Sequence, residues 1–348
     1  MSPQTDQAIL LVNLGSPDKA KVPSVYVYLT QFLNDPKVID IPLLARLLLV
    51  NLIIIPVRVF GSTKAYQKLW TDKGSPLIYY TRKQAELIQH KMGEDAQVYW
   101  AMRYRKPSIA SVMKTIKANG HKKLLIVPMF PQFADATNGS VMAECERLLH
   151  SSDHGMEIEY IEDFFDDPGY IQALATQGRK FDFSEYDHIL MSYHGLPLRH
   201  LEKVHGERSC EAPCTIAQCQ QFRKCYQGQC YSTSRALAKE LGLKEDQYTV
   251  CFQSRLDKKW TKPFADKEIK RWAEKGAKKL LVFSPAFVAD CLETIVEIGD
   301  EYQEEFEEMG GEKIQLVPGL NDSEDWISAM ERLLRAKLTS QTIEAAAH

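Results

Sequence analysis

Residues 189–197 read Ile-Leu-Met-Ser-Tyr-His-Gly-Leu-Pro, and the rest of the fold can be worked out from this stretch. The apolar run after Asp187 predicts a buried parallel strand, which Gly195 and Pro197 end abruptly. His194 is therefore predicted at the carboxyl end of a strand, where open α/β sheets bind their ligands. An imidazole there can act as a base, an acid or a metal ligand near neutral pH. A histidine that only caps a loop would give the same local pattern.

The same pattern recurs along the chain, and its recurrence predicts two similar halves. Ala8–Asn13 is a strand candidate that leads into Leu-Gly-Ser-Pro at 14–17. Residues 120–128, Gly-His-Lys-Lys-Leu-Leu-Ile-Val-Pro, are echoed by Gly-Ala-Lys-Lys-Leu-Leu-Val-Phe-Ser at 276–284. Each half alternates strands with helical regions, so we predict an α/β fold with two similar halves and parallel sheets. Two further strand candidates are Gln97–Met102 and Tyr248–Gln253.

The length of 348 residues also suits two domains. Loops at the strand ends of both halves, with Leu14, Arg103, Phe130 and His194 among them, are expected to line a cleft for the ligand. The predicted segments are an N-terminal half at 1–165, a C-terminal half at 166–320, a helix at 324–338 that packs back on the N-terminal half, and a frayed tail at 339–348.

Composition excludes several classes of protein. The net charge is −3 and no basic block occurs, which argues against nucleic acid as a partner. The sequence has no signal-peptide pattern and no run of about 20 apolar residues, so a cytoplasmic protein with reduced thiols is expected. The sequence also lacks the glycine-rich dinucleotide and phosphate-loop motifs, the H-E-x-x-H motif and the G-x-S-x-G motif.

Residues 41–60 form an unusually apolar segment, which we call the apolar lip. Leu44, Leu48, Leu52 and Ile55 follow helical spacing, and Pro56 is expected near the end of the helix. An ordinary buried helix would show this spacing. The alternative is an exposed lip that handles a large flat hydrophobic ligand or touches a bilayer.

A carboxylate stripe is predicted on a helix at 290–309, after the second Lys-Lys strand. At α-helical pitch Asp290, Glu293, Glu297 and Glu301 share one face. A solvated helix face is the simpler interpretation, with the first two carboxylates favoured by the helix dipole. The other is a path for protons or for a hydrated divalent cation. One imidazole with one or two carboxylates suits a borderline cation such as ferrous iron.

Five of the eight cysteines lie in one short stretch, which favours a metal site because disulfides are not expected here. Their spacing is irregular for a structural zinc site, whose cysteines usually come in tight pairs. Four thiolates around a [2Fe–2S] centre are the alternative, although the spacing matches neither common ferredoxin pattern. Free thiols are a third interpretation. The five residues are Cys210, Cys214, Cys219, Cys225 and Cys230.

Taken together, these residues resemble the ferrochelatases, enzymes that insert ferrous iron into a porphyrin. The resemblance runs from Ile9 to about Trp326 and depends on short motifs in a fixed order. These are Leu-Val-Asn-Leu-Gly-Ser-Pro (11–17), Lys-Gly-Ser-Pro-Leu (73–77), Met-Arg-Tyr (102–104), Pro-Gln-Phe (131–133), Thr-x-Gly-Ser (137–140), Ser-Tyr-His-Gly-Leu-Pro (192–197), Phe-Gln-Ser-Arg (252–255) and Asp-Cys-Leu-Glu-Thr (290–294). It implies two Rossmann-like halves around a porphyrin cleft, and a lyase of haem biosynthesis that acts on ferrous iron and protoporphyrin IX.

The resemblance also implies roles for individual residues. His194 matches the family's active-site histidine, and Glu293 matches the carboxylate that faces it across the macrocycle. Cys291, Phe130, Ala134 and Ala136 depart from the histidine, tyrosine and serines that some members carry there. Asp290, Glu297 and Glu301 match an acidic path for iron, and the residues matched to porphyrin binding are Leu14, Arg58, Arg103 and Tyr104, with Phe130 on the same wall.

The cysteine-rich insertion resembles that of a bacterial subgroup with an internal [2Fe–2S] cluster, which implies that four of the five cysteines are ligands. The apolar lip mildly favours protoporphyrin, which is carried by membranes, and implies a peripheral membrane contact. Two rival functions remain. One is a related chelatase that uses cobalt or coproporphyrin, and the other is a non-catalytic protein that binds a tetrapyrrole or an iron–sulfur cluster.

Overall fold

The structure is a computed structural model that describes residues 5–150, 155–205, 214, 215, 217, 221 and 223–346. The chain divides into two compact units. Unit 1 comprises Met1–Phe130, Ala134–Asp163 and Asn321–His348, and unit 2 comprises Pro131–Phe133 and Phe164–Leu320.

Unit 1 is built around a parallel four-stranded sheet with the order β2-β1-β3-β4. The central strand β1 is almost wholly buried from Ala8 to Val12, as expected of a parallel strand that is covered on both faces. The strands are β1 (Gln7–Gly15), β2 (Gln97–Tyr104), β3 (Lys123–Pro128) and β4 (Glu157–Tyr160).

Unit 2 repeats this arrangement, with a parallel sheet in the order β6-β5-β7-β8. The two sheets therefore share one topology, which confirms the α/β fold with two similar halves. His194 is the last residue of β5, as predicted. The strands are β5 (His188–His194), β6 (Tyr248–Gln253), β7 (Lys279–Phe283) and β8 (Lys313–Leu316).

Helices connect the strands in both units, and three segments of the described residues have the wider π-helical hydrogen bonding. The π-helices are Leu49–Ile54, Asp135–Gly139 and Glu293–Tyr302, and Phe183–Glu185 is a 3₁₀ turn. The α-helices are Val22–Leu33, Leu43–Leu48, Ile55–Leu69, Pro76–Met92, Ile109–Ala118, Ser140–His150, Pro168–Gly178, Leu198–His205, Tyr226–Leu241, Ala265–Glu274, Gln303–Glu308 and Glu324–Ala346.

The helix of the apolar lip is longer than predicted. We expected it to end near Pro56, but it continues without a break from Leu43 to Leu69. Pro56 lies in the first turn of the α-helical segment that follows the π-helix. A proline is tolerated in a first turn because it has no N–H to donate, and the wide π turn just before it supplies such a position.

The acidic helix also differs from its prediction, because Glu293–Tyr302 is π-helical rather than α-helical. Asp290 precedes the helix, and Glu301 is exposed whereas Glu293 and Glu297 are partly buried. The predicted single stripe of four carboxylates assumed α-helical pitch, so it does not describe this segment. Short π-helical segments are frequent at functional sites.

The last helix, Glu324–Ala346, extends beyond the predicted end at Leu338, so the expectation of a frayed tail from Thr339 was wrong for the backbone. Within unit 1 this helix is joined by ion pairs to the helix Pro76–Met92 and to the residues that follow it. Lys91 lies 2.6 Å from Glu324, and Arg335 lies 2.6 Å from Asp95.

Candidate active site

His194 is held at the end of β5 in a defined orientation. Its Nδ1 lies 2.7 Å from the carbonyl oxygen of Gly195. A carbonyl oxygen can only accept, so Nδ1 carries the proton in this contact and Nε2 of the neutral ring keeps its lone pair. The side chain is partly exposed, and the backbone oxygen of His194 accepts a hydrogen bond from the Tyr226 hydroxyl at 2.8 Å. Nε2 can therefore take a proton or bind a metal.

Glu293 occupies the first position of the π-helix in the same unit. Its backbone carbonyl accepts a 2.8 Å hydrogen bond from the side-chain amide of Gln253, the last residue of β6. Gln253 was not singled out as a site residue from the sequence. Its position at a strand end in the 252–255 motif was the signal that could have identified it.

Cys291 lies two residues before Glu293 and is buried. Burial raises the pKa of the Cys291 thiol well above its ordinary value, and the Glu293 carboxylate, to which the thiol is hydrogen-bonded, raises it further. The thiol is therefore neutral at physiological pH and can donate a hydrogen bond to Glu293.

Glu297 accepts four hydrogen bonds on its two carboxylate oxygens. Gln253 Nε2 and the Ser254 hydroxyl donate to Oε2 at 3.1 and 2.5 Å. The Ser254 backbone amide and the Tyr302 hydroxyl donate to Oε1 at 2.7 and 3.1 Å. These contacts account for about four acceptor sites of a carboxylate. Through these hydrogen bonds Glu297 anchors the π-helix to the end of β6.

In unit 1, the predicted porphyrin-binding residue Arg103 lies at the end of β2 and is fixed by two partners. Its Nη2 lies 2.6 Å from Asp35, and its Nε donates to the Ser140 hydroxyl at 2.7 Å. The Asp35 side chain is 3% exposed and accepts further hydrogen bonds from the hydroxyls of Ser140 and Tyr104. No signal in the sequence pointed to Asp35, which is 68 residues from Arg103 along the chain.

Tyr104 is only 2% exposed, and its hydroxyl donates to Asp35 at 2.8 Å. Burial raises the pKa of this phenol far above its ordinary value, and the Asp35 carboxylate raises it further. The protonated Tyr104 hydroxyl thus donates to Asp35, the carboxylate that pairs with Arg103, from the interior of unit 1.

The backbone of Tyr104 also requires glycine at position 15, where an added Cβ would lie 2.0 Å from the Tyr104 carbonyl oxygen.

The other predicted porphyrin-binding residues are accessible at the carboxyl ends of strands or on the lip helix. Leu14 is partly exposed near the end of β1, and Phe130 is partly exposed two residues after β3. Arg58 is exposed on the helix of the apolar lip. Thus β1, β2 and β3 bring Leu14, Arg103 and Phe130 to one edge of the sheet.

The helix Leu43–Leu69 exposes a broad apolar face, so it is not the ordinary buried helix that was the simpler interpretation. It is also long and apolar enough, by length and composition alone, to cross a membrane. Its opposite side packs into unit 1, where Ile55 is fully buried and Val59 is 5% exposed. The exposed apolar residues are Leu43, Leu44, Leu47, Leu48, Leu52, Ile53, Val57 and Phe60.

Three of the five clustered cysteines are described, and all three are buried: Cys214, Cys225 and Cys230. Cys225 caps the helix Tyr226–Leu241, with its sulfur accepting from the Gly228 amide at 3.4 Å. The Cys230 sulfur is hydrogen-bonded to Tyr226, inside the core of unit 2. Within the described part of the chain, no three His, Cys, Asp or Glu side chains form a group that could hold a metal ion. Cys210 and Cys219 lie outside the described residues.

Comparisons with known proteins give a consistent family. A family model described as Ferrochelatase matches residues 6–338. A ferrochelatase of Pseudomonas fluorescens (strain Pf-5) is 42% identical over 333 residues, which cover 94% of this chain and 97% of that protein. A ferrochelatase of Pseudomonas putida (strain W619) is 42% identical over 336 residues, with 94% and 98% covered.

Among solved structures, the chain is similar in fold to the sirohydrochlorin chelatase SirB. The structure of the Bacillus subtilis subspecies spizizenii enzyme with cobalt has a TM-score of 0.55 at 10% identity and covers 97% of both chains. SirB from Bacillus subtilis with Fe³⁺ has a TM-score of 0.54 at 12% identity and covers 94% of both chains. At these identities the likeness concerns the fold.

Proposed function

The chain belongs to the ferrochelatase family, and from this premise we propose that His194 and Glu293 form its metal-insertion centre, with protoporphyrin IX as the porphyrin. Members of the family are enzymes that insert ferrous iron into a porphyrin, so iron is a substrate here rather than a resident cofactor. The observation that carries the proposal is the fixed orientation of His194, with Nδ1 held by the Gly195 carbonyl.

The proposed chemistry uses the imidazole of His194 and the carboxylate of Glu293. Metallation requires the loss of two pyrrole protons and the removal of water from the ion. A neutral imidazole with its lone pair on Nε2 can accept a pyrrole proton, so we assign His194 as the base. Glu293 receives the metal or the second proton, and its carboxylate charge favours a divalent cation.

Asp290, Glu297 and Glu301 are proposed to form the acidic path. Glu301 is exposed, and Asp290 lies 3.3 Å from the Thr294 hydroxyl at the start of the helix. Glu297 is already occupied by four hydrogen-bond donors, which lowers its capacity to bind a passing ion.

Unit 1 is proposed to supply the porphyrin-binding residues. Leu14 and Phe130 offer apolar contact, and Arg103 and Arg58 offer positive charge for the propionates. Tyr104 is proposed to support Arg103 through Asp35, because its hydroxyl is buried against that carboxylate.

Insertion of zinc into protoporphyrin IX, followed by porphyrin fluorescence, tests whether the protein is a chelatase at all. We expect turnover by the wild-type protein. High-affinity porphyrin binding without metal insertion would indicate the rival function, a non-catalytic tetrapyrrole-binding protein. Faster turnover of coproporphyrin or of cobalt would identify the related chelatase.

We further propose that the cysteine-rich segment holds a [2Fe–2S] cluster through Cys210, Cys214, Cys219 and Cys225. The three described cysteines do not form a metal site by themselves, and Cys230 fits less well as a ligand because it lies within the helix Tyr226–Leu241. Cys214 and Cys225 fit better, since both belong to the segment that precedes the helix Tyr226–Leu241. The cluster is proposed to be a structural staple for this insertion.

The visible spectrum of the protein purified without air tests the ligand set. We expect the absorption bands of a [2Fe–2S] centre, their loss in Cys214→Ser and Cys225→Ser, and their retention in Cys230→Ser. A colourless protein with about one zinc ion would indicate that the segment is a structural zinc site instead. Loss of the bands in Cys230→Ser alone would contradict the proposed ligand set.

The apolar lip is proposed to make a peripheral membrane contact for a protein of the cytoplasm. One face of the helix Leu43–Leu69 is buried in unit 1 while the other exposes eight large apolar side chains, so the helix can lie on a bilayer without crossing it. A large exposed apolar patch on a protein surface marks an interaction site.

Replacement of Leu44, Leu48, Leu52 and Val57 by serine is expected to weaken binding to lipid vesicles at least about 10-fold, because each side chain contributes buried apolar area. Sedimentation with vesicles measures the change. Leu256→Ser with Met309→Ser serves as the control, since these exposed apolar side chains lie in unit 2. Equal vesicle binding by the lip variant and the wild type would contradict the proposal.

A further inference from the structure

We propose that Gln253 is a positioning residue of the metal-insertion centre. It holds the first turn of the π-helix, which carries Glu293, at a fixed distance from the strand end that carries His194. This inference rests on the roles proposed above for those two residues, and it adds a residue that touches neither substrate.

The position of Gln253 links it to His194. Gln253 ends β6 and is paired with His194 in the sheet register. Its backbone carbonyl accepts from the Gly195 amide at 2.8 Å, and the Gly195 carbonyl is the group that holds Nδ1 of His194. Movement of Gln253 is therefore transmitted to the peptide that orients the imidazole.

The side chain of Gln253 is fixed at both ends in the interior, where the residue is 1% exposed. Its Oε1 accepts from the Ser192 hydroxyl at 2.7 Å. Its Nε2 faces two groups that can only accept, the Glu293 carbonyl at 2.8 Å and the Glu297 carboxylate at 3.1 Å. These acceptors determine which end of the amide is nitrogen, and both of its N–H groups are used.

Glu297 provides the anchor for this arrangement. Besides Gln253, it accepts from the backbone and hydroxyl of Ser254 and from the Tyr302 hydroxyl. Ser254 has a φ of 62°, which directs its amide to the carboxylate from a left-handed conformation. Hydrogen bonds to an ionised acceptor are roughly twice as strong as neutral ones, so Glu297 holds Gln253 firmly.

The functional consequence is geometric. The side-chain amide of Gln253 contacts the backbone of Glu293 and therefore determines where the Glu293 carboxylate can reach. Gln253 itself does not contact the metal. Misplacement by about 1 Å in an active site can cost about 100-fold in rate. Replacement of Gln253 should therefore lower kcat and raise the KM for the metal, whereas porphyrin binding by unit 1 should be preserved.

Steady-state zinc insertion into protoporphyrin IX by the full chain tests the proposal with Gln253→Glu, which keeps the shape but removes both N–H donors. We expect kcat to fall about 10- to 100-fold and the KM for zinc to rise, with the KM for porphyrin within about twofold of wild type. Gln177→Glu is the matched control, because Gln177 is a buried glutamine of unit 2 that accepts from Lys180 at 2.6 Å. It should keep kcat within about twofold.

Two further variants keep the test decisive. The pair Gln253→Glu with Glu297→Gln re-forms an amide–carboxylate contact between these two residues but still leaves the Glu293 carbonyl without its donor, so no more than about twofold recovery of kcat is expected. Ser192→Ala, a milder change, should lower kcat about 3- to 10-fold if Gln253→Glu does not fold. Wild-type kcat in folded Gln253→Glu or Ser192→Ala, or an equal rise in the KM for porphyrin, would overturn the proposal. A wild-type protein that inserts no metal would instead refute the proposed function.

Discussion

His194→Ala is expected to lower kcat for metal insertion by about 10²- to 10⁴-fold, the range of a lost general base. The variant removes the Nε2 lone pair that the Gly195 contact makes available. Porphyrin affinity should stay within about threefold, because the proposed porphyrin-binding residues lie in unit 1. Zinc insertion and a porphyrin fluorescence titration measure the two quantities separately.

The matched control for this variant is His150→Ala, at an exposed histidine of unit 1 whose Nδ1 contacts the Glu146 carbonyl at 2.7 Å. It should retain wild-type kinetics. Near-normal insertion by His194→Ala would refute the assignment of His194 as the base. A parallel loss of porphyrin affinity would show that the imidazole binds the macrocycle instead.

Asp35→Asn is expected to lower the free energy of unfolding by about 3 kcal/mol or more, because it leaves the Arg103 guanidinium beside a neutral group in the interior of unit 1. The Asp35 carboxylate also accepts from Tyr104 and Ser140, so three donors lose an ionised acceptor at once. The porphyrin KM should rise about 10-fold as Arg103 loses its orientation.

Urea unfolding followed by tryptophan fluorescence measures the stability change. Asp95→Asn is the control, since this carboxylate is 66% exposed and pairs with Arg335 at the surface, where such pairs contribute about 1 kcal/mol or less. If Asp35→Asn and Asp95→Asn had similar small effects, Asp35 would not be the support of Arg103.

Three strands of each unit could be predicted because buried parallel strands appear as continuous apolar runs. The short strands β4 and β8 and the order of the strands within each sheet were not predicted. The repeat of the two Lys-Lys strands, Lys123–Pro128 and Lys279–Phe283, indicated two similar halves before any pairing was known. His194 followed from the same rule, since a strand that stops at Gly195 places the preceding residue at the sheet edge.

The helices were predicted less well for a physical reason. Periodicity was interpreted at 3.6 residues per turn, whereas Leu49–Ile54 and Glu293–Tyr302 are π-helical. This choice of pitch placed Glu297 on a solvent-facing path. Three of the four hydrogen bonds to Glu297 come from Gln253 and Ser254, more than 40 residues earlier in the chain, and local patterns do not contain such contacts.

Anaerobic incubation of the wild-type protein with ferrous iron and protoporphyrin IX, with the haem product measured by its absorption, tests the central claim most directly. We predict catalytic formation of protohaem, faster than with coproporphyrin or with cobalt. A protein that binds protoporphyrin IX and leaves it free of metal, or that prefers coproporphyrin or cobalt, would contradict it.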